Sequence, residues 1–373
     1  MKILIVVGKL SYGGVSIALE NMVNALCKSN IDFEICSIFQ NDKNEEKKVT
    51  CPVRILFSNK NKFIISKIVK LIPGFIWRRL LHIDRYDKVI LYGADAILLC
   101  GFSVNKKNLI CWIHDNPIFA DGKNFSRYRS WKSKLTIVRK RKAYDNARKI
   151  VCVSEQCLQN FFEVWGYREK LITLNNIIDI EEIRNKSIEY IPEYDNDFIN
   201  VVAVGRLSYE KAYYRVIEAM KAAIDNGIKV CCYIVGDGER RTELQELINS
   251  YQLSKHVILV GRKKNPYPYI GGADLVVISS ISEAYSTVAI ESQILGIPTL
   301  TTNCCGMHDI FDGTESGYIC ENDDSSFISS FVEYLKNKDE VIRKKYKAKE
   351  YSKNMNMNKT TEKIKIFLLD EWI

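Results

Sequence analysis

The chain has 373 residues, 47% hydrophobic and 27% charged, with a formal net charge of +9. This is the balance of a soluble globular protein of two domains; no apolar run reaches the roughly 18–20 residues of a spanning helix, and the opening Met1-Lys2-Ile3-Leu4-Ile5-Val6-Val7-Gly8 reads as a strand rather than a signal peptide. The twelve cysteines include no Cys-x-x-Cys, so they read as reduced, mostly buried thiols of a cytoplasmic protein and argue against a zinc site.

The first predicted strand is 3–7. Gly13-Gly14 then opens a helix through Ile17, Leu19, Met22, Val23 and Leu26. Two glycines at a helix start let the backbone close on a diphosphate; a tight turn without a ligand is the plain alternative. The spacing is not the dinucleotide pattern Gly-x-Gly-x-x-Gly. Strands at 32–39, 88–92, 109–113, 149–153 and 171–174 follow, with Cys36, Cys100, Cys111 and Cys152, and much later Cys320, in or beside apolar strand-like runs. Strands alternating with helices predict a parallel, doubly wound sheet. His114 directly follows 109–113, at the strand end where open α/β sheets bind ligands. It is suited to orient a hydroxyl or to accept a proton. Asp115 is a weaker candidate for the same role.

Residues 175–200 change character, and the polar run 189–197 approaches a new strand. The chain therefore divides into a first domain over 1–178, a linker at 179–197 and a second domain over 198–354. The apolar helix within 355–373 is expected to complete the first domain. Strands restart at 198–204, 229–235, 256–260, 274–278 and 298–301. Val204-Gly205-Arg206-Leu207-Ser208-Tyr209-Glu210-Lys211 ends the first of these with two cations, a fixed fork and a point charge, suited to an anionic leaving group. Solvated charges at a helix start are the alternative. Gly236-Asp237-Gly238 is often only a turn, and a turn is equally plausible at Arg262.

The richest stretch is Ser279-Ser280-Ile281-Ser282-Glu283-Ala284-Tyr285-Ser286-Thr287-Val288-Ala289-Ile290-Glu291. It follows an apolar strand and leads into a helix ending at Leu295-Gly296-Ile297-Pro298. Strand, polar loop and helix start place free N–H groups where a diphosphate can sit. Glu283 in the loop and Glu291 in the helix suit two separate sets of sugar hydroxyls. An acidic surface pair is the bland reading.

This stretch and both its flanks resemble the Glu-x(7)-Glu signature of glycosyltransferase family 4, the group 1 glycosyltransferases of bacterial capsule, exopolysaccharide and lipopolysaccharide synthesis. The resemblance covers nearly the whole chain and is most specific over about 200–320. It implies the GT-B fold: α/β, two Rossmann-like domains with parallel sheets facing across a cleft. It also implies roles. Glu283 meets hydroxyls of the transferred sugar, the amides of Tyr285, Ser286 and Thr287 approach the distal phosphates, and Glu291 holds the ribose. Arg206 and Lys211 neutralise the leaving diphosphate, the backbone at Arg262 borders the base, Gly13 and Gly14 approach the phosphates, and His114 serves the acceptor. Two positions depart from the pattern: Ala212 and Ala284 stand where glycine is common.

The implied reaction is retaining transfer from a UDP- or GDP-sugar to a hydroxyl of a lipid-linked glycan. With no Asp-x-Asp directly before the acidic loop, neither a metal nor a cofactor is expected. A UDP-sugar 2-epimerase of the same fold is the competing enzyme reading, and it needs no acceptor. A non-catalytic scaffold binding a membrane or a partner would require a decayed site, yet Arg206, Lys211, Glu283 and Glu291 are all present.

Charge is uneven. Residues 1–180 carry 30 Lys+Arg against 16 Asp+Glu, about +14, while the remainder is about −5. Basic segments with apolar interruptions recur at 60–70, 77–81 and 127–149, the last containing Arg139-Lys140-Arg141-Lys142. They predict that the first domain rests on the anionic inner face of the plasma membrane; solvated helix faces are the alternative. No nucleic-acid-binding module is recognisable.

Overall fold

The computed structural model describes residues 1–10, 13–27, 29–40, 49–57, 69, 72–104, 109–122 and 131–370. The basic segment 60–70, apart from Val69, and the start of 127–149 lie outside the described residues. The chain forms two compact units, Met1–Ile178 with Met357–Ile373, and Asp179–Asn356.

The first unit is built on a parallel sheet of β1 (Lys2–Val7), β2 (Asp32–Phe39), β3 (Val53–Phe57), β4 (Lys88–Tyr92), β5 (Leu109–Ile113), β6 (Lys149–Cys152) and β7 (Leu171–Thr173), in the order β3-β2-β1-β4-β5-β6-β7. The central strands β4 and β5 are buried along their whole length, as parallel strands covered on both faces must be. Helix Gly14–Leu26 buries Ala18, Leu19, Met22, Val23 and Leu26, the stripe a 3.6-residue period predicts. The C-terminal helix Asn358–Leu369 belongs to this unit. It buries Ile364, Phe367 and Leu368, and Lys88 Nζ lies 2.8 Å from Leu368 O and 2.5 Å from Asp370 O. A buried ammonium there satisfies the open carbonyls of the helix end.

The second unit has a parallel sheet of β8 (Ile199–Val204), β9 (Val230–Val235), β10 (Val257–Gly261), β11 (Leu275–Ile278), β12 (Thr299–Thr302) and β13 (Gly317–Cys320), in the order β10-β9-β8-β11-β12-β13. Val201, Ala203, Val216, Met220, Ile234, Phe327 and Phe331 are among its core residues. In each sheet the strand order reverses once, between β1 and β4 and between β8 and β11. Open α/β sheets bind ligands at such points. Both units are thus the α/β, Rossmann-like folds expected.

Three details differ from the sequence reading. The edge strand β3 has no counterpart in the sequence reading, and β13 only the strand-like run at Cys320: both are short and largely half-exposed, and Arg54 interrupts the apolar run of β3. Cys100 ends the helix Ala94–Cys100 rather than a strand. Residues 179–197 are built into the second unit rather than lying free. Asp179 caps the helix Ile180–Ser187 by accepting from Glu182 N at 2.9 Å, and Arg184 Nη2 donates to Ser352 O at 2.6 Å.

Candidate active site

At the β8–β11 switch point the chain turns sharply after each strand. A Cβ on Gly236 would lie 1.8 Å from Gly205 O, so only glycine lets the turns after β8 and β9 meet. Leu207 N donates to Asp237 O and Arg240 N to Leu207 O, each at 3.0 Å, while Gly238 N donates to Asp237 Oδ1 at 2.9 Å. Gly236-Asp237-Gly238 is therefore a turn that holds the loop carrying Arg206 and Lys211. Past Lys211 the backbone enters the left-handed region at Ala212, with φ +48°. This accounts for the glycine common at that position; alanine there costs about 1 kcal/mol.

The turn aims Lys211 at the acidic loop. Lys211 Nζ lies 2.6 Å from Glu283 Oε1, and Ser280 Oγ donates to the same oxygen at 2.7 Å. The two charged side chains are only 23% and 13% exposed. With Tyr213, Ser286 and Val288 they line a pocket floored by Val204, Val277 and Ile278. Ser286 caps the helix Thr287–Ile294, its Oγ accepting from Ala289 N at 3.4 Å. The N–H groups of Tyr285, Ser286, Thr287 and Val288 donate to no acceptor among the described residues. A helix start left open in this way favours an anion.

Glu291 is 6% exposed, and its carboxylate accepts no hydrogen bond from any described residue. Burial pushes its pKa up to about 7, against the pull of the Lys211 charge. A buried carboxylate without donors is costly, and a vicinal diol carries the two donors that would satisfy it.

The remaining candidates are placed as follows. Arg206 is not brought to Glu283. Leu207 is fully buried, which turns Arg206 outward; its side chain is 67% exposed and pairs with Glu210 at 2.5 Å. Arg262 is exposed in the turn after β10 and does not line the pocket. Tyr285 and Thr287 are half-buried at the helix start, and burial raises the Tyr285 phenol.

Gly13 and Gly14 stand in the first unit at the start of their helix, where a Cβ on Gly13 would meet nothing within 4 Å. The room for a close backbone approach is present. His114 follows β5 in the same unit, its ring 4.2 Å from that of Tyr92. Its Nε2 is buried without a hydrogen-bond partner among the described residues, and burial lowers its pKa to about 3. So weak a base is poorly matched to taking a proton near neutrality, whereas a neutral imidazole suits orienting a hydroxyl. Sequence reasoning missed Ser280 and Tyr213. Ser280 sits in the quoted stretch, three residues from Glu283, and that spacing was the available signal.

Residues 184–355 match the family described as Glycosyl transferases group 1, and residues 12–182 match Glycosyltransferase Family 4. The chain belongs to these group 1 glycosyltransferases, whose fold is GT-B. It is 28% identical to the N-acetylgalactosamine-N,N'-diacetylbacillosaminyl-diphospho-undecaprenol 4-alpha-N-acetylgalactosaminyltransferase of Campylobacter jejuni, over 98% of this chain and 97% of that protein. It is also 28% identical to an uncharacterised glycosyltransferase of Methanocaldococcus jannaschii, over 64% of this chain but only 58% of that relative, less than two thirds of its length. Among solved structures, Anabaena HepE in complex with UDP and glucose shares the fold with a TM-score of 0.73 at 15% identity, covering 99% of both chains.

Proposed function

We propose that this protein transfers a sugar, with retention of configuration, from a UDP- or GDP-sugar to a hydroxyl of a lipid-linked glycan in cell-surface polysaccharide synthesis. The observation that carries this is the Lys211–Glu283 pair beside the open helix start and the unpartnered carboxylate of Glu291. A sugar nucleotide presents the complementary groups in sequence: sugar hydroxyls for Glu283, phosphates for Lys211 and the amides of Tyr285 to Thr287, a ribose diol for Glu291. The Campylobacter relative is named for a diphospho-undecaprenol substrate, and the Anabaena structure holds UDP. Both support the reading.

In this mechanism Glu283 fixes the sugar while Lys211 stabilises charge growing on the leaving diphosphate. Arg206 joins it by leaving an exposed ion pair, a change of roughly 0–1 kcal/mol. The leaving diphosphate takes the acceptor proton. A thermal-shift panel of UDP- and GDP-sugars on the purified protein tests the donor assignment. A ligand at a hundred times its Kd adds about 2.7 kcal/mol of stability, so at least one sugar nucleotide is expected to raise Tm by a few degrees. No shift from any of them overturns the reading.

Two further outcomes follow. Turnover is expected to survive excess chelator, because cations of the chain neutralise the leaving group; activity lost to chelator and restored by Mg²⁺ or Mn²⁺ would contradict this.

The first unit is proposed to rest on the anionic cytoplasmic leaflet. Among the described residues no helix is long and apolar enough to cross a membrane. Helix Gly74–Leu81 turns Trp77 and Leu81 inward and leaves Phe75, 74% exposed, beside Ile76, Arg78 and Arg79. Helix Trp131–Asn146 exposes Leu135, Val138, Arg141 and Lys142; both helices adjoin the turn Gly101–Ser103. Arg139 instead stacks on Phe102 at 5.0 Å, and Lys140 lines a small pocket with Asp115, so only half of the Arg139–Lys142 run faces outward. At about 1 kcal/mol per cation, neutralising Arg141 and Lys142 together should weaken binding to anionic vesicles about 30-fold. Binding should also fall steeply with salt. Equal binding to neutral and anionic vesicles would contradict the proposal.

A further inference from the structure

We infer that Arg215 is a positioning residue for Glu283, acting from behind the loop that carries it; the inference rests on the sugar-nucleotide reading above. Arg215 sits on the buried face of helix Tyr213–Asp225, beside Val216, Ile217 and Ala219, where an apolar side chain is the ordinary occupant. It is 5% exposed. Its Nη1 donates to Ser279 O at 3.2 Å and to Asn322 Oδ1 at 2.9 Å, and its Nε to Asp324 Oδ1 at 2.6 Å. Asn322 Nδ2 in turn donates to Ile281 O at 2.9 Å. Between them, Ser280 O accepts from Thr302 Oγ1 at 2.6 Å and Cys304 Sγ at 2.9 Å.

Three consecutive carbonyls, those of Ser279, Ser280 and Ile281, are thus each held by side chains from other elements. The opposite side of the same segment is tied to the turn bearing Lys211. Ser279 Oγ donates to Lys211 O and Ile281 N to Glu210 O, both at 2.8 Å. Glu283 follows two residues later. The segment is therefore fixed at both edges before any ligand arrives, and the carboxylate has little freedom to drift from Lys211. Arginine suits this place because its planar fork serves three acceptors at fixed angles while Asp324 balances its charge. Lysine would keep the charge and lose the fork. The competing explanation is a simple ion pair joining helices Tyr213–Asp225 and Asp324–Lys336, without consequence for Glu283.

Arg215→Lys and Asn322→Ala in the full chain separate the two. The readouts are Tm, Kd for UDP, and kcat with the sugar nucleotide that scores in the thermal-shift panel. Misplacement of about 1 Å costs on the order of 100-fold in rate, so Arg215→Lys is expected to lower kcat by roughly 30–100-fold. UDP affinity should change less than about threefold, because Glu291 and the amides of helix Thr287–Ile294 lie outside the clamp. Asn322→Ala spares the Arg215–Asp324 pair but leaves Ile281 O and one Arg215 N–H without that partner; it should lower kcat about tenfold while Tm falls by only a few degrees. In a Glu283→Gln background Arg215→Lys should cost less than about threefold, since no carboxylate remains to be positioned. The inference is overturned if both variants keep wild-type kcat, or if the Arg215→Lys loss multiplies fully with Glu283→Gln. A loss of Tm and UDP affinity together, with kcat kept by Asn322→Ala, also overturns it in favour of the plain ion pair. Wild-type protein that binds no sugar nucleotide defeats the donor reading itself, a distinct result.

Discussion

Glu283→Gln and Lys211→Ala are each expected to lower turnover more than ~100-fold in protein that still melts cooperatively. Removing one preorganised contact to a developing charge commonly costs about 2.7–4 kcal/mol in the transition state. Here the two groups are 2.6 Å apart, so neither has to search for its place when the donor binds. Glutamine preserves the shape and still accepts from Lys211 and Ser280, so its effect should fall on kcat and hardly on Tm. Lys211→Ala leaves Glu283 only the Ser280 hydroxyl. Partial exposure of the pair moderates that loss, and Tm should drop by a few degrees. Steady-state kinetics and circular dichroism melts on both purified variants decide the matter. Near-normal turnover in both would remove Glu283 and Lys211 from the chemistry.

Glu291 should make both stability and donor affinity depend on pH, in opposite directions. Its pKa is about 7 in the folded chain against 4.5 as the reference value. Between those values the native state holds a proton that the unfolded chain has released. Stability therefore falls as pH rises through this window, by something on the order of 3 kcal/mol, and the whole penalty is present above pH 7. Glu291→Gln is expected to remove that slope and to melt above wild type at pH 8.

Donor binding runs the other way. The ionised carboxylate accepts from both ribose hydroxyls in charge-assisted bonds stronger than those to the protonated acid, so affinity for a sugar nucleotide should rise through pH 7 and level off above it. The diphosphate of a sugar nucleotide is a diester and does not titrate there, so the change belongs to the protein. Hydrogen bonds to a charged group are worth about 1.5–3 kcal/mol, so Glu291→Gln should bind at least tenfold more weakly at pH 8 and without pH dependence. Calorimetric titrations at pH 6, 7 and 8 provide the check. Wild-type affinity that is flat across this range would show that Glu291 does not meet the ribose.

The central strands were legible in the amino-acid sequence because burial on both faces demands unbroken apolar runs, as in β1, β4, β8 and β11. The edges β3 and β13 lack that requirement. Lys211 and Glu283 were legible because each lies a few residues beyond a strand, and Glu291 because it lies in the helix that follows, so spacing along the chain carries their position. The direction of Arg206 was not. It depends on the burial of its neighbour Leu207 and on Glu210 one helical turn away. The clamp behind Glu283 was hidden for a different reason: Arg215 and Asn322 are 107 residues apart and meet only through the packing of two helices. The burial of Glu291, and hence its raised pKa, likewise comes from tertiary packing rather than from any local pattern.

The most direct test of sugar transfer is release of nucleoside diphosphate from the bound sugar nucleotide as a lipid-linked glycan is titrated in. One equivalent of UDP or GDP is expected for each glycan extended, none without acceptor, with the anomeric configuration of the donor kept in the product. Conversion of the sugar nucleotide without acceptor, or no acceptor-dependent release from any UDP- or GDP-sugar, would contradict it.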